Sequence, residues 1–469
     1  MRLQNLAVVD CLDTCRMNVM KVEMNKEARR TKSMAFCIFL LFSGGLLFLE
    51  WVLRRNAIAG IYFHGIPSES MMQTVSIIDL RDQPFQSLWY LHIQPPLFDF
   101  LRAILVATSD VVDPLAIQYW VDRGIYFIWA IAYGLICALI FIWVSKLTNL
   151  WWALISTCFF AAGPAPLLYA TLLETTILSS LLILIFIFLL WKINRGIVIS
   201  PWLLSSSFLA LFFTRSVFQW PWVFVSLMCL VILKYPIDLM KKFFIITGLV
   251  VALFLCKQFF LFGITSTSSF SGLNLCQSIG ACRDHYISEQ ATESNFYVPN
   301  VLQRDQKLTG AHNFNNLMDL ELNKLYLEDY KQSLRSLSLA DLINQYQKNL
   351  NIYFQPSSNY ANTNLLLVKM SPRWKNYYEK FFSAPVMPIF LIVSALFWLV
   401  RHRQEDIFKS LGVVIPVLMI FSISILFESG ENMRFKFFIE PVLFIFIASQ
   451  MYLVGMQLLS FIKRQNKQN

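Results

Sequence analysis

The chain has 469 residues, 57% of them hydrophobic and only 14% charged, with a formal net charge of +10. Soluble domains carry about 45–50% apolar and about 25% charged residues, so this composition excludes an ordinary soluble enzyme. The positive charge does not point to nucleic acid, because the lysines and arginines are scattered between apolar runs without an aromatic-interleaved basic patch.

In chain order, residues 1–33 form a basic tail (Lys21, Lys26, Arg29, Arg30, Lys32) that also holds Cys11 and Cys15. No second ligand pair accompanies these cysteines, which argues against a metal site. The apolar run at 34–52 is long enough to span a bilayer and reads as a signal anchor. A hydropathy window of about 19 residues finds further spans at 123–144, 151–165, 172–190, 201–213, 217–233, 243–262, 384–400, 407–427 and 437–461, about ten in all. Those at 151–165 and 201–213 are short for a hydrocarbon core of about 30 Å. The expected organisation is an N-terminal membrane module at 34–264 with a first outer loop at 54–120, a polar extracytoplasmic segment at 265–383 and a C-terminal membrane module at 384–469.

Alternating the spans from a cytoplasmic N-terminus collects Lys146, Lys192, Arg195, Lys234, Lys241, Lys242, Arg401, Arg403, Lys409, Lys463, Arg464 and Lys467 on the cytoplasmic side, as the positive-inside rule asks. Arg54 and Arg55 fall on the other side, outweighed by the N-terminal tail. The outer face then receives the first loop, the polar segment, the Glu174 end of the fourth span, Arg215 and the turn from Glu428 to Arg434.

Within the first loop, Pro95-Pro96 disfavours helix before it and sets a turn. Residues 97–107 then repeat as a short amphipathic helix lying in the interface, with Asp99 and Arg102 expected as a surface pair. In the polar segment, 317–330 and 340–354 show helical spacing, and no strand pattern stands out. Cys276 and Cys282 are placed to form a disulfide if the segment is extracytoplasmic. The segment at 265–383 has no Asn-x-Ser/Thr acceptor site, which favours a bacterial inner membrane over an endoplasmic reticulum membrane, and span alternation leaves both termini cytoplasmic.

Several short motifs fall in order on that one face. They are Glu69, the segment His92-Ile93-Gln94-Pro95-Pro96-Leu97, Gly163-Pro164-Ala165-Pro166 leading into Leu173-Glu174, and Glu431-Asn432-Met433-Arg434 followed by Glu440-Pro441. Together they resemble the GT-C superfamily, in its mannosyltransferase/aminoarabinose-transferase-like group, whose members take sugars from polyprenyl- or dolichyl-phosphate carriers. The resemblance implies an all-α multi-pass membrane protein with an interfacial helix in its first outer loop and a mostly helical extracytoplasmic insert. It implies an enzyme moving a sugar from a lipid-phosphate carrier to an acceptor hydroxyl on the outer face, its partners being the lipid-linked donor, a glycan, lipid or protein acceptor, and the membrane.

Such a reaction uses a carboxylate to take the hydroxyl proton and cations to hold the departing phosphate. The resemblance puts Glu69 in the first role, with Asp79, Asp82 and His92 as further candidates in the same loop. Where the family usually has an acidic pair, this chain has Ser68-Glu69. Glu174, Arg215, Glu431 and Arg434 are the candidates for substrate binding. Guanidinium forks match phosphate oxygens; the alternative for either arginine is a snorkelling surface side chain, and for Glu174 a carboxylate at a helix start. Segments 268–274, 312–315 and 354–360 are similar to stretches of GT-C-type bacterial proteins and are read as acceptor contacts. No clustered metal ligands are visible, which leaves open a divalent metal held by distant loops. A flippase or transporter of a lipid-linked glycan, and an inactive GT-C-like scaffold, remain alternatives.

Overall fold

The computed structural model describes residues 26–51, 67–71, 73–280, 282–283, 285, 299–360, 372–401 and 404–466. Cys11, Cys15, Arg54 and Arg55 lie outside them. The described residues are helical, with one isolated bridge between Gln306 and His312 as the only extended pairing among them.

After α1 (Lys26–Trp51) come four short helices of the first loop: α2 (Ser68–Met71), α3 (Ile77–Asp82), α4 (Pro84–Trp89) and α5 (Leu97–Ala107). The N-terminal membrane helices follow as α6 (Pro114–Leu147), α7 (Leu150–Ala161), α8 (Pro164–Thr171), α9 (Thr176–Asn194), α10 (Pro201–Phe212), α11 (Trp220–Ile232) and α12 (Ile237–Phe262). The polar segment contributes α13 (Ser271–Ser278), α14 (Leu317–Ser336), α15 (Leu339–Tyr353) and α16 (Pro372–Phe381). The chain finishes with α17 (Val386–Arg401), α18 (Gln404–Leu426) and α19 (Asn432–Gln465).

Each predicted span falls on a helix except 151–165, which straddles the break between α7 and α8, and their lengths sort them into three groups. α1, α6, α9, α12, α18 and α19 each carry a stretch long and apolar enough to cross a bilayer. The pairs α7–α8 and α16–α17 qualify only together, bent by 59° and 44°. At 12 and 13 residues, α10 and α11 reach only about 20 Å, short of a bilayer core of about 30 Å. Among the described residues, six helices, or up to eight counting each bent pair as one, are therefore long and apolar enough to cross, against the about ten expected.

Local sequence accounts for the breaks. Asp113 caps α6 by accepting from Ala116 N–H at 2.8 Å, with Pro114 at the first helical position. Asn149 does the same for α7 through Trp152 N–H at 2.8 Å. Pro164 and Pro166 cannot donate to the preceding turn, so the helix restarts at Pro164 with a new direction. The gap is filled by protein: Trp374 Nε1 donates to Ala162 O at 2.9 Å, and Tyr378 leaves no room for a Cβ on Gly163. At the other end of the module, α12 stops at Gly263, whose φ of +70° is the left-handed cap glycine favours.

The centre of the bundle is α6 and α9, which bury 67% and 72% of their apolar stretches, whereas α12 and α1 bury 22% and 28% and present the rest outward. The all-helical architecture with several apolar spans makes the chain an integral membrane protein. Helix α5 forms at the predicted residues, but its charged pair does not lie at the surface. Asp99 and Arg102 are both fully buried, 2.7 Å apart, with Arg102 also donating to Val75 O and Gln94 Nε2 donating to Asp99. The outward face is instead apolar, with Phe100 and Ile104 exposed. The pair faces inward, where Val75 O and Gln94 supply part of the polar company a buried pair needs while Arg102 Nε and Nη2 have no hydrogen-bond partner among the described residues, and Phe100 and Ile104 lose nothing by facing an apolar medium.

The two helices predicted in the polar segment are present, over slightly different bounds. Cys276 and Cys282 are bonded to one another. α13 lies so close to α14 that a Cβ on Gly272 would collide with the carbonyl oxygen of Asn323.

Candidate active site

Connections at one end of the bundle surround a cleft of about 250 Å³. Its walls come from the first loop (Gln73, Ile93, Gln94, Pro95), the turn between α10 and α11 (Thr214–Val217), α13 and the residues before it (Ser268, Asn274, Gln277), and the turn leading into α19 (Glu428, Ser429, Glu431, Arg434). Segments far apart in sequence that alternation assigned to one face thus share one cavity.

The charge beside the cleft is organised around Glu174, which the two cleft-lining arginines reach. This residue sits two positions before α9, fully buried, and its Oε2 accepts from Arg215 Nη2 and from Arg434 Nη1, each at 3.2 Å. Burial would make an unpaired carboxylate costly, and the two guanidinium groups supply the missing counter-charge. Arg434 is nearly spent on its surroundings: Nη1 also donates to the Tyr360 hydroxyl at 2.7 Å, Nη2 pairs with Glu431, and the guanidinium lies 4.7 Å from the centre of the Tyr360 ring. Arg215 is different. Both arginines line the cleft and neither Nε has a hydrogen-bond partner among the described residues, but Arg215 bonds through one terminal nitrogen only, Nη2 to Glu174, where Arg434 uses both.

Glu431 opens the helix α19 and is half-exposed beside Arg434. Glu428, two residues past α18, is buried in the cleft wall, and that burial, reinforced by the nearby Glu431 charge, pushes its carboxyl from 4.5 up to about 7. The sequence puts Glu428 on this turn without marking it for a role, and Tyr360 only at the end of the 354–360 motif. The signal that singles out either is tertiary, namely which side chains Arg434 reaches.

The four first-loop candidates are not among the residues of the cleft wall. Glu69 is fully buried, and its carboxylate accepts from the backbone N–H groups of Ile77 at 2.7 Å and Thr309 at 3.3 Å. Lys307 Nζ donates to the Glu69 carbonyl at 2.7 Å. Asp79 forms a two-pronged bond with Arg304, at 3.0 Å from Nη2 and 3.0 Å from Nε, while burial pulls its carboxyl upward against that pairing. Asp82 pairs with the adjacent Arg81 at the surface. His92 is fully buried; its Nδ1 lies 2.8 Å from Ser269 Oγ, and burial holds the ring neutral by lowering its pKa to about 3. The residues that follow it, Ile93 and Gln94, do reach the cleft. Ser68 Oγ, N-terminal neighbour of Glu69, donates to Asp122 of α6 at 2.5 Å.

Among the described residues no group of three or more His, Cys, Asp or Glu side chains is placed to share a metal ion. Glu174 is fully buried and shares its Oε2 between the two arginines, while its Oε1 has no hydrogen-bond partner among the described residues.

These features define a class, an all-helical integral membrane protein with a charged cleft where its helix ends meet. No family model matches the chain, and no curated protein matches it. Among solved structures it is similar to the archaeal oligosaccharyltransferase AglB from Archaeoglobus fulgidus, solved in complex with an inhibitory peptide and a dolichol-phosphate, at 10% identity and a TM-score of 0.43. The likeness covers 93% of this chain and 52% of that one, so the chain spans about half the length of that structure.

Proposed function

We propose that the chain is a membrane glycosyltransferase that moves a sugar from a lipid-phosphate carrier to an acceptor hydroxyl, with the cleft as its active site. The observation that carries this reading is the Arg215–Glu174–Arg434 arrangement: one buried carboxylate holding two arginines that both line the cleft, of which Arg215 has a terminal nitrogen, Nη1, that no neighbour among the described residues engages. Arg215 then binds the carrier phosphate and stabilises its charge as the glycosidic bond breaks. Arg434, tied to Glu174, Glu431 and Tyr360, acts as the positioning residue that keeps Glu174 and hence Arg215 in place. Glu69, Asp79, Asp82 and His92 shape the loop that forms the wall above. A membrane location suits this chemistry, because the donor's lipid tail lies among apolar helices while its phosphate meets the helix ends.

The test is transfer of a labelled sugar from polyprenyl-phosphate donors in membranes, alongside binding of a short-chain polyprenyl phosphate to the purified protein. Arg215→Ala is expected to weaken phosphate-lipid binding about tenfold or more, the scale of one charge-assisted hydrogen bond. Unchanged binding in that variant overturns the reading.

A transporter reading draws on the two bent helix pairs, since broken helices line transporter sites. The α7–α8 break, however, is plugged by Trp374 and Tyr378. The charges within α19 face one another: Lys436 Nζ lies 3.7 Å from Glu440 Oε1 and donates to Gln355 O and Phe382 O, and Glu440 accepts from Ser357.

A further inference from the structure

Three carboxylates stand at or beside the cleft, and their surroundings assign them different work. Glu174 is neutralised by Arg215 and Arg434, and Glu431 by Arg434. Glu428 has no cation within ion-pairing distance among the described residues. Its side chain is 7% exposed, lines the cleft, and receives one hydrogen bond, from Ser429 N–H to Oε1 at 3.3 Å. The turn carrying it is held firmly: Asn432 Nδ2 donates to Glu428 O at 2.9 Å and to Ser424 O, and Gly430 takes a φ of +86° that lets the chain reverse into α19.

We infer that Glu428 is the proton acceptor of the transfer step, a catalytic residue supplied by the turn before the last helix rather than by the first loop. The inference rests on the glycosyl-transfer reading of the cleft. In that step the acceptor oxygen forms its bond to the anomeric carbon while the bond from that carbon to the phosphate oxygen breaks. The hydroxyl proton passes to the Glu428 carboxylate, and the leaving lipid phosphate keeps the electron pair, its charge met by Arg215. Glu428 then loses the proton to water through the open mouth of the cleft. A carboxylate already paired with arginine is a poor base, because the cation stabilises its ionised form; an unpaired, buried one is tuned toward neutral pH.

The charged groups facing Glu428 are Glu431 on its own turn, Arg434 on α19 and Arg215 on the turn between α10 and α11; the first raises its pKa and the other two lower it. The α13 side of the cleft presents the neutral Asn274 and Gln277.

The experiment compares wild type, Glu428→Gln, Glu428→Asp and Glu431→Gln in the sugar-transfer assay, across pH, with short-chain polyprenyl phosphate binding measured on the same preparations. Wild-type kcat is expected to rise with pH and level off above about 7, as Glu428 ionises. Glu428→Gln is expected to lose about 100-fold or more in kcat, the usual worth of a general base, to lose that pH dependence, and to bind polyprenyl phosphate as wild type does. Glu428→Asp is expected to keep a displaced acidic limb and part of the rate, which a purely structural glutamate would not produce. A Glu428→Gln enzyme within about threefold of wild type, or one that keeps the wild-type acidic limb, overturns the inference while leaving the phosphate-binding reading intact. A wild type that neither binds polyprenyl phosphate nor transfers sugar overturns both.

Discussion

Glu174 serves two arginines at once, so removing its charge affects them differently from removing either partner. In Glu174→Gln, Arg215 and Arg434 lose their shared counter-charge and repel each other across a buried site. Breaking a buried pair by deleting one partner costs about 3–5 kcal/mol, and thermal unfolding in detergent is expected to show a loss of that order. Arg434→Lys is expected to fare little better than Arg434→Ala in polyprenyl phosphate binding. A single ammonium cannot hold Glu174, Tyr360 and Glu431 together as the guanidinium fork does. Arg215→Lys, by contrast, is expected to retain part of that binding, because a point charge still meets a phosphate. Of these residues, Glu174, Arg215, Glu431 and Arg434 were legible in the sequence, since an ionisable group at a span end is costly and span alternation puts all four on one side. The special position of Glu428 was not. Which of several acids is left without a cation depends on where arginines from other elements reach.

Hydropathy locates the long apolar helices, as in α6 and α12, because lipid and protein interior impose the same demand on such a run, but it misses their polar starts: α6 begins at Pro114 rather than 123 and α12 at Ile237 rather than 243. Direction and depth were harder. The bend between α7 and α8 follows from Pro164, but what fills it comes from α16, more than 200 positions later. The Asp99–Arg102 pair shows the same limit: an i,i+3 spacing says that two charges are neighbours, not which way the helix faces. Asp99→Asn is expected to destabilise the fold by about 3 kcal/mol or more by stranding a buried guanidinium. The double change Asp99→Leu with Arg102→Met is expected to recover much of that loss, as apolar replacement of a whole buried pair does. Equal destabilisation by the single and double variants would argue that Val75 O and Gln94 need those partners for more than neutralisation. At the α13–α14 contact, Gly272→Ala must push the helices apart against Asn323 O, a backbone atom that cannot swing away. Overpacking of this kind costs about 1–3 kcal/mol, and a melting temperature equal to wild type would refute the close approach.

Across the molecule, positive residues at one set of turns and chemistry-bearing residues at the other were a sequence-level pattern, and the cleft is its three-dimensional counterpart. Loops at 93–95, 214–217, 268–277 and 428–434 meet because the helices between them run back and forth. The site's acid–base balance is a consequence of that meeting and predicts how whole-protein stability responds to pH. Glu428 has its carboxyl raised from 4.5 to about 7 in the folded state. Between those values the native protein binds more protons at this site than the unfolded chain does, so its contribution to stability falls as pH rises and is fully lost above about 7. His92 works the opposite way: its pKa is lowered from 6.5 to about 3, so the unfolded chain binds more protons in that interval and stability falls as pH drops. The two slopes oppose each other where the intervals overlap, and the wild-type curve alone does not separate them. The difference between Glu428→Gln and wild type does. Melting temperatures in detergent are expected to diverge in favour of the variant as pH rises from about 4.5 to about 7 and to run parallel beyond. A constant difference across that range would mean that Glu428 titrates as an ordinary carboxylate, and its place in the cleft wall would then carry no proton.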